Sequence, residues 1–447
     1  MDPYLPSQKT ILEPPSKFKD RLKHLGPSLI LSAAIVGSGE LIATTTLGAK
    51  AGFTTFWLIL VGCLVKVMVQ VAFGKHTLLS GETAMEAFNN LPGPRTKKAN
   101  WAVWSMAAMM ILKLLQLGGI VGGVAIILNL AFPMINIPWY AFITAGFVGI
   151  LVYFGYYKFI EKASIYMIAF FTIFTFITLY FLKYTPYALH WTDIVSGLKF
   201  QLPKASIAFA FGAFGITGVG GDEIIHYNYW CLEKGYAAYS GPKENSIEWQ
   251  KRVKGWLAVM HLDAFIALLI YTLVTAAFYL LGAAVLHAKG NIPEGYGMIE
   301  TLSSIYTDAL GPKAKAFFLF GSFIVLFSTL FASLAAWTRQ YADLFGQLKF
   351  IDFYNQKARE QVIKYMALIL PLSWAMLFVF IKMPVEMVML GGIVGSFILF
   401  MVVGAVMHFR YRRTEKVFTP SKIYDLALWI SALSIIIIGL YGLIKLL

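Results

Sequence analysis

Eleven stretches of this chain are each about twenty apolar residues long, and that feature alone leaves few folds open. They run at roughly 28–49, 53–74, 101–131, 138–157, 163–182, 205–231, 256–286, 315–338, 361–381, 384–409 and 424–446. A hydrocarbon core about 30 Å thick takes about 20 helical residues to cross. Inside it the backbone must satisfy its own hydrogen bonds, so only helices and closed barrels qualify. Runs such as Ile435 to Ile438 have no period of two, which sets the barrel aside. An all-α polytopic membrane protein is therefore expected. Composition agrees, with 58% hydrophobic and 13% charged residues, against roughly 25% charged in a soluble domain. That balance excludes a disordered chain, an ordinary soluble enzyme and a nucleic-acid binder, despite the net charge of +14. Cys63 and Cys231 both lie in apolar stretches and build neither a disulfide framework nor a zinc cluster. No nucleophile–base pair or metal-ligand His spacing is present, so neither an enzyme nor a cofactor is expected.

Lysine and arginine placement orients the spans. With the N-terminus cytoplasmic, 26 of the 37 Lys and Arg residues fall in inner segments and nine outside, with Lys66 and Lys113 inside spans. The first 25 residues are polar and basic and lack the apolar core of a signal peptide. Eleven crossings then put the C-terminus outside.

Two spans contain sequence that a continuous apolar helix avoids. Span one reads Gly37-Ser38-Gly39-Glu40, followed by Thr44-Thr45-Thr46. Span six carries Gly212, Gly215, Thr217 and Gly218, then Gly220-Gly221-Asp222-Glu223, with His226 one turn on. Glycine weakens a helix by about 1 kcal/mol relative to alanine. A carboxylate at the bilayer centre costs about 2.5–3.5 kcal/mol even on a lenient scale. Breaks five spans apart are the pattern of two inverted five-helix repeats that meet at a midplane site. The competing explanation is close helix packing at glycine, with the acids neutralised by Lys66 and Lys113. The division expected is a cytoplasmic tail at 1–27, a first repeat at 28–204, a second at 205–409, and a cytoplasmic loop with the eleventh span at 410–447.

The residues around these breaks resemble a known family. Ala33-Ala34-Ile35-Val36-Gly37-Ser38-Gly39-Glu40 through Ala49-Lys50-Ala51-Gly52-Phe53 is similar to the first helix of the Nramp (natural resistance-associated macrophage protein) divalent-metal transporters. The likeness continues at Gln70, at Leu79-Ser80-Gly81-Glu82, and from Gly123-Val124-Ala125 to Leu128-Asn129-Leu130. It recurs at Lys158-Phe159-Ile160-Glu161 and from His261-Leu262-Asp263 to Leu268, so it covers roughly 21–410. The resemblance implies the amino acid–polyamine–cation (LeuT-type) fold, with helices one and six broken. It also implies a multi-pass protein of the bacterial plasma membrane, monomeric and without an obligate protein partner.

The resemblance also marks what has changed. The family's metal-binding Asp falls on Gly37, its Pro on Ser38, its Gly on Gly39 and its Asn on Glu40. Its Met-Pro-His stretch falls near Val219, Gly220 and Gly221, so the soft thioether ligand is lost. The acidic pair associated with proton coupling falls on Leu117 and Ile120, which carry no proton. This altered pattern resembles the Nramp-related magnesium transporters.

The acids nonetheless suit a cation. Glu40, Asp222 and Glu223, with hydroxyls from Ser38, Thr44 and Thr217 and the backbone at Gly37, Gly220 and Gly221, make an all-oxygen set. Such a set suits hard cations such as Mg²⁺ or Mn²⁺. Adjacent acids point about 100° apart around a helix, so one of Asp222 and Glu223 faces the site. His226 is a further candidate ligand. Gln116, Lys113, Lys66 and Asp263 are candidates for lining a vestibule or compensating charge. Uncoupled transport of Mg²⁺ or Mn²⁺ is the expectation. The alternative is a carrier of amino acids or other small organic solutes, with Glu40 taking an ammonium group and Lys113 standing in for a monovalent ion.

Overall fold

The computed structural model describes residues 2–37, 39–155 and 157–446, apart from the side chains of 157–165, 167, 168 and 446. Among these residues the chain is helical, with one isolated bridge between Arg95 and Asn100. The first predicted span is a bent pair, α1 (Pro27–Ile35) and α2 (Gly39–Ala51), turned by 40°. Then come α3 (Phe56–Ser80), α4 (Trp101–Ala131), α5 (Ile137–Tyr153) and α6 (Tyr157–Phe181). The sixth span is also two helices, α7 (Ile207–Ile216) and α8 (Gly221–Lys234). After them follow α9 (Ile247–Leu281), α10 (Ala314–Gln347), α11 (Gln356–Ile381), α12 (Pro384–His408) and α13 (Lys422–Leu446). Among the described residues, eight helices are long and apolar enough to cross a membrane, and the α1–α2 pair makes a ninth candidate. Large apolar side chains such as Phe147, Ile173, Leu269, Phe380 and Ile437 stay exposed on the helices. In water this would be a liability; facing lipid tails it is the expected surface. The chain is a multi-pass integral membrane protein.

Small residues bring the broken sixth span close to its neighbours, as membrane packing favours. A Cβ on Gly215 would overlap the Gly392 carbonyl of α12, and one on Gly212 would come within 2.8 Å of the Met389 carbonyl. These two glycines are explained by packing. Gly218 is explained by the break itself, since its φ of +64° lies in the region that other residues rarely adopt.

The segment ahead of α1 is laced across one end of the bundle. Asp2 ion-pairs with Arg359 at 2.7 Å, and the Tyr4 hydroxyl donates to Glu233, which also takes Arg339. Trp256 donates to the Leu12 carbonyl, Leu12 N–H to the Tyr239 carbonyl, and Tyr236 to the His24 carbonyl. The sequence expectation of a plain tail missed this packing, because its polar composition hides a single buried aromatic, Tyr4.

Candidate functional site

Each half-helix that follows a break carries acid in its first turn. Glu40 is the second residue of α2; Asp222 and Glu223 are the second and third of α8. Carboxylates there meet the positive end of the helix dipole. Glu40 is fully buried, and its Oε1 accepts hydrogen bonds from the Thr275 hydroxyl at 2.8 Å and the Gly218 amide at 3.3 Å. Among the described residues its Oε2 has no hydrogen-bond partner. The acid of the first break is therefore tied directly to the unwound segment of the second. Thr44 and Thr217 bridge the same gap, their hydroxyl oxygens 3.2 Å apart. Thr44 and Thr45 also donate to the carbonyls of Gly39 and Glu40, five residues back. That suits the wide π-type turn over Gly39–Thr44, a geometry frequent at functional sites.

The two intramembrane lysines do different things. Lys113 of α4 ion-pairs with Asp222 at 2.8 Å and donates to Gln116 Oε1 at 2.5 Å. Lys66 of α3 donates instead to two main-chain carbonyls, those of Phe214 (2.6 Å) and Thr217. Glu223 is half-buried, yet its Oε2 is buried and unpartnered, and a Cβ on Gly220 would collide with it. His226 is engaged by Gln340 of α10 at 3.0 Å. Glu40 and Glu223 thus each keep one unclaimed carboxylate oxygen, while Asp222 is matched by Lys113. Among the described residues no three His, Cys, Asp or Glu side chains converge into a metal cage. The geometry offers a buried set of oxygens, with the Glu40 carboxylate and the Thr44 and Thr217 hydroxyls all but closed to solvent.

The family assignment follows from comparison with known proteins. The family model described as natural resistance-associated macrophage protein-like matches residues 28–445. The chain belongs to the Nramp family. A curated relative, the divalent metal cation transporter MntH of Mycobacterium tuberculosis, is 28% identical over 110 residues. That match spans 25% of this chain and only 26% of the relative's length. The fold is similar to that of a manganese transporter mutant from Eremococcus coleocola, with a TM-score of 0.66 and 15% identity. That alignment covers 98% of this chain and 89% of the other. Mhp1, a nucleobase-cation-symport-1 family transporter, aligns at a TM-score of 0.57 and 14% identity, over 97% of this chain and 92% of its own. The LeuT-type fold expected from the sequence is thus the one observed.

Against this Nramp framework the sequence candidates sort by what they touch. Gly37, which the resemblance puts at the place of the family's metal-binding Asp, is pressed on α10, and a Cβ there would overlap Thr329 Oγ1. Ser38 lies outside the described residues. Leu117 and Ile120, which the resemblance puts at the family's acidic positions, are buried hydrocarbon. Gly220 and Gly221 cap and open α8, and Gly221 packs on Ile398 and Leu399 of α12.

Three further candidates have definite partners. Gln116 is buried and its Oε1 accepts from the Lys113 ammonium. Among the described residues Lys66 pairs with no acid; the unwinding after α7 leaves carbonyls without helical partners, and it serves those. Asp263 of α9 compensates backbone dipoles: it accepts from the amides of Gly26 (2.8 Å) and Ser28 (2.7 Å) and so caps α1 from across the bundle.

Sequence reasoning missed Thr275, which holds Glu40, and Gln340, which holds His226. Thr275 carried a weak signal, since it shares the apolar stretch after Asp263 with Thr272 at i, i+3 spacing. Outside the spans it also missed a latch. Glu82, just past α3, ion-pairs with Arg413 at 2.6 Å and bonds His76 at 2.9 Å. Burial opposes its ionisation, but the His76 and Arg413 hydrogen bonds outweigh that and hold its carboxyl down at about 2.

Proposed function

We propose that this chain transports divalent metal cations, Mg²⁺ or Mn²⁺ foremost, through the gap between the two helix breaks. The observation that carries the reading is Glu40: a buried carboxylate with an unpartnered oxygen, anchored at once to both breaks and to Thr275. The hydroxyls of Thr44 and Thr217 and the free oxygen of Glu223 extend the donor set. Hard oxygens without a thioether favour hard ions, and a site with few protein ligands suits Mg²⁺, which keeps several waters. Relatives named for divalent metal and manganese transport support the class of substrate.

Transport in this reading is uncoupled from protons, since the positions that would carry them are Leu117 and Ile120. The membrane arrangement proposed with it has eleven crossings, a cytoplasmic N-terminus, inverted repeats at 28–204 and 205–409, and a monomeric unit. The organic-solute alternative needs Lys113 free to replace a monovalent ion. Its ammonium is committed to Asp222 and Gln116, which favours the cation.

The test is ion uptake into proteoliposomes with internal dyes for Mg²⁺ and Mn²⁺ and a parallel pH dye. Saturable divalent influx without acidification, lost in Glu40→Gln at unchanged folding, is the expected result. Influx with acidification would refute the uncoupled mechanism. Absence of divalent flux from well-reconstituted protein, or wild-type flux in Glu40→Gln, would refute the site.

A further inference from the structure

Lys66 has no function in the mechanism above, although it is completely buried near the middle of α3. A buried ammonium costs several kcal/mol unless it is matched, and the usual match is a carboxylate. Glu40 and Glu223 lie within electrostatic reach of it, yet its hydrogen bonds go to the carbonyls of Phe214 and Thr217. Its ammonium also stands 4.8 Å from the centre of the Phe214 ring. Phe214 lies in the last turn of α7, and Thr217 is its C-cap. These oxygens belong to the negative end of a half-helix. In transporters built on broken helices, such carbonyls are the groups that coordinate ions.

We propose that Lys66 is a tethered cation that permanently fills a monovalent-ion position in the break of the sixth span. It neutralises the end of α7, leaves no vacancy for an inorganic ion there, and confines exchangeable cations to the Glu40 side of the break. Lys66 is thus a positioning and specificity-determining residue. The inference stands on the Lys66 geometry whether or not the transported substrate is a divalent metal. Lys113, the other buried lysine, differs because a carboxylate matches it.

The experiment is chemical rescue. Purified full-length wild type, Lys66→Met and Lys66→Arg are melted in detergent by tryptophan fluorescence. The salt is choline chloride, then NaCl, KCl, MgCl₂ or methylammonium chloride at matched ionic strength. Wild type should melt at one temperature in every salt. Lys66→Met should melt at least about 3 °C lower in choline, and a small monovalent cation should restore at least half of that loss. Lys66→Arg, which keeps the charge, should remain insensitive to the salt. Lys66→Met that melts like wild type in choline, or that no cation rescues, overturns the proposal. Equilibrium dialysis of wild type against ²²Na⁺ provides a check that needs no variant. No bound sodium is expected, and one sodium per chain in competition with methylammonium would overturn the assignment.

Discussion

Removing one partner of the Lys113–Asp222 pair should be far more harmful than removing both. The ion pair is 2.8 Å long, with side chains 0% and 6% exposed, so neither charge can be rescued by water. Stranding one charge of such a pair costs about 3–5 kcal/mol, whereas replacing both with neutral groups is often close to neutral. Unfolding entropy of about 2.1 cal/mol/K per residue, taken over 447 residues, is on the order of 0.9 kcal/mol/K. One kcal/mol therefore moves the melting temperature by about 1 °C, and either single variant should lose about 3–5 °C. Lys113→Met also strands Gln116 Oε1, which accepts from the same ammonium, so it should be the worse of the two. The double variant Lys113→Met/Asp222→Asn should recover to within about 2 °C of wild type. The assay is thermal unfolding of detergent-purified protein by tryptophan fluorescence. Losses in the double variant equal to the sum of the singles would mean that the two side chains do not interact, and the charge balance drawn here would collapse.

Other consequences are open to equally direct measurement. Asp263→Ala removes the cap from α1 and should cost about 1–2 kcal/mol, with faster amide exchange confined to Gly26 and Ser28 and the turn after them. Gly37→Asp, which brings back the acid that the resemblance expects there, should destabilise the protein instead of tightening Mn²⁺ binding, because Thr329 occupies the space. Pairing it with Thr329→Gly should recover stability, and calorimetric Mn²⁺ titration of both variants decides the point. The Glu82 carboxyl is held at about 2 against an ordinary value of 4.5. Its contribution, on the order of 3 kcal/mol, should be complete above pH 5 and lost as pH falls toward 2. In Glu82→Gln, stability measured across that window should lose this part of its pH dependence.

The parts of the fold legible in the sequence are those whose physics is local. Each span announces itself by twenty apolar residues, and each break by glycine beside an acid, because both signals lie within one segment. Lys113 was readable too: a lysine and three carboxylates inside a membrane must be matched somehow, and Asp222 supplies the match. Lys66 follows the same rule by another route, because a main-chain carbonyl leaves no trace in a sequence. Asp263 is similar, since its partners are amides 235 and 237 positions away. Tyr4 was invisible because one buried aromatic does not alter the polar character of the segment around it. Cross-bundle contacts with backbone are what a single sequence conceals.

The charges around the two breaks also explain why a divalent cation could both enter such a site and leave it. With all ionised, Glu40, Asp222 and Glu223 oppose Lys66 and Lys113, so the empty site holds one net negative charge. Binding M²⁺ turns that into one net positive charge. In a poorly screened interior, free energy grows steeply with uncompensated charge, and the empty and loaded sites lie equally far from neutrality. Without the lysines the empty site would carry three negative charges and the loaded site one, a balance that holds an ion tightly and releases it slowly. On the proposed function, then, the lysines weaken binding enough for passage. Lys66 does so as a spectator of the carboxylates, and Lys113 by taking Asp222 out of the ligand set. Of the three acids at the breaks, Glu40 is left as the fully buried one with an oxygen free to meet the ion.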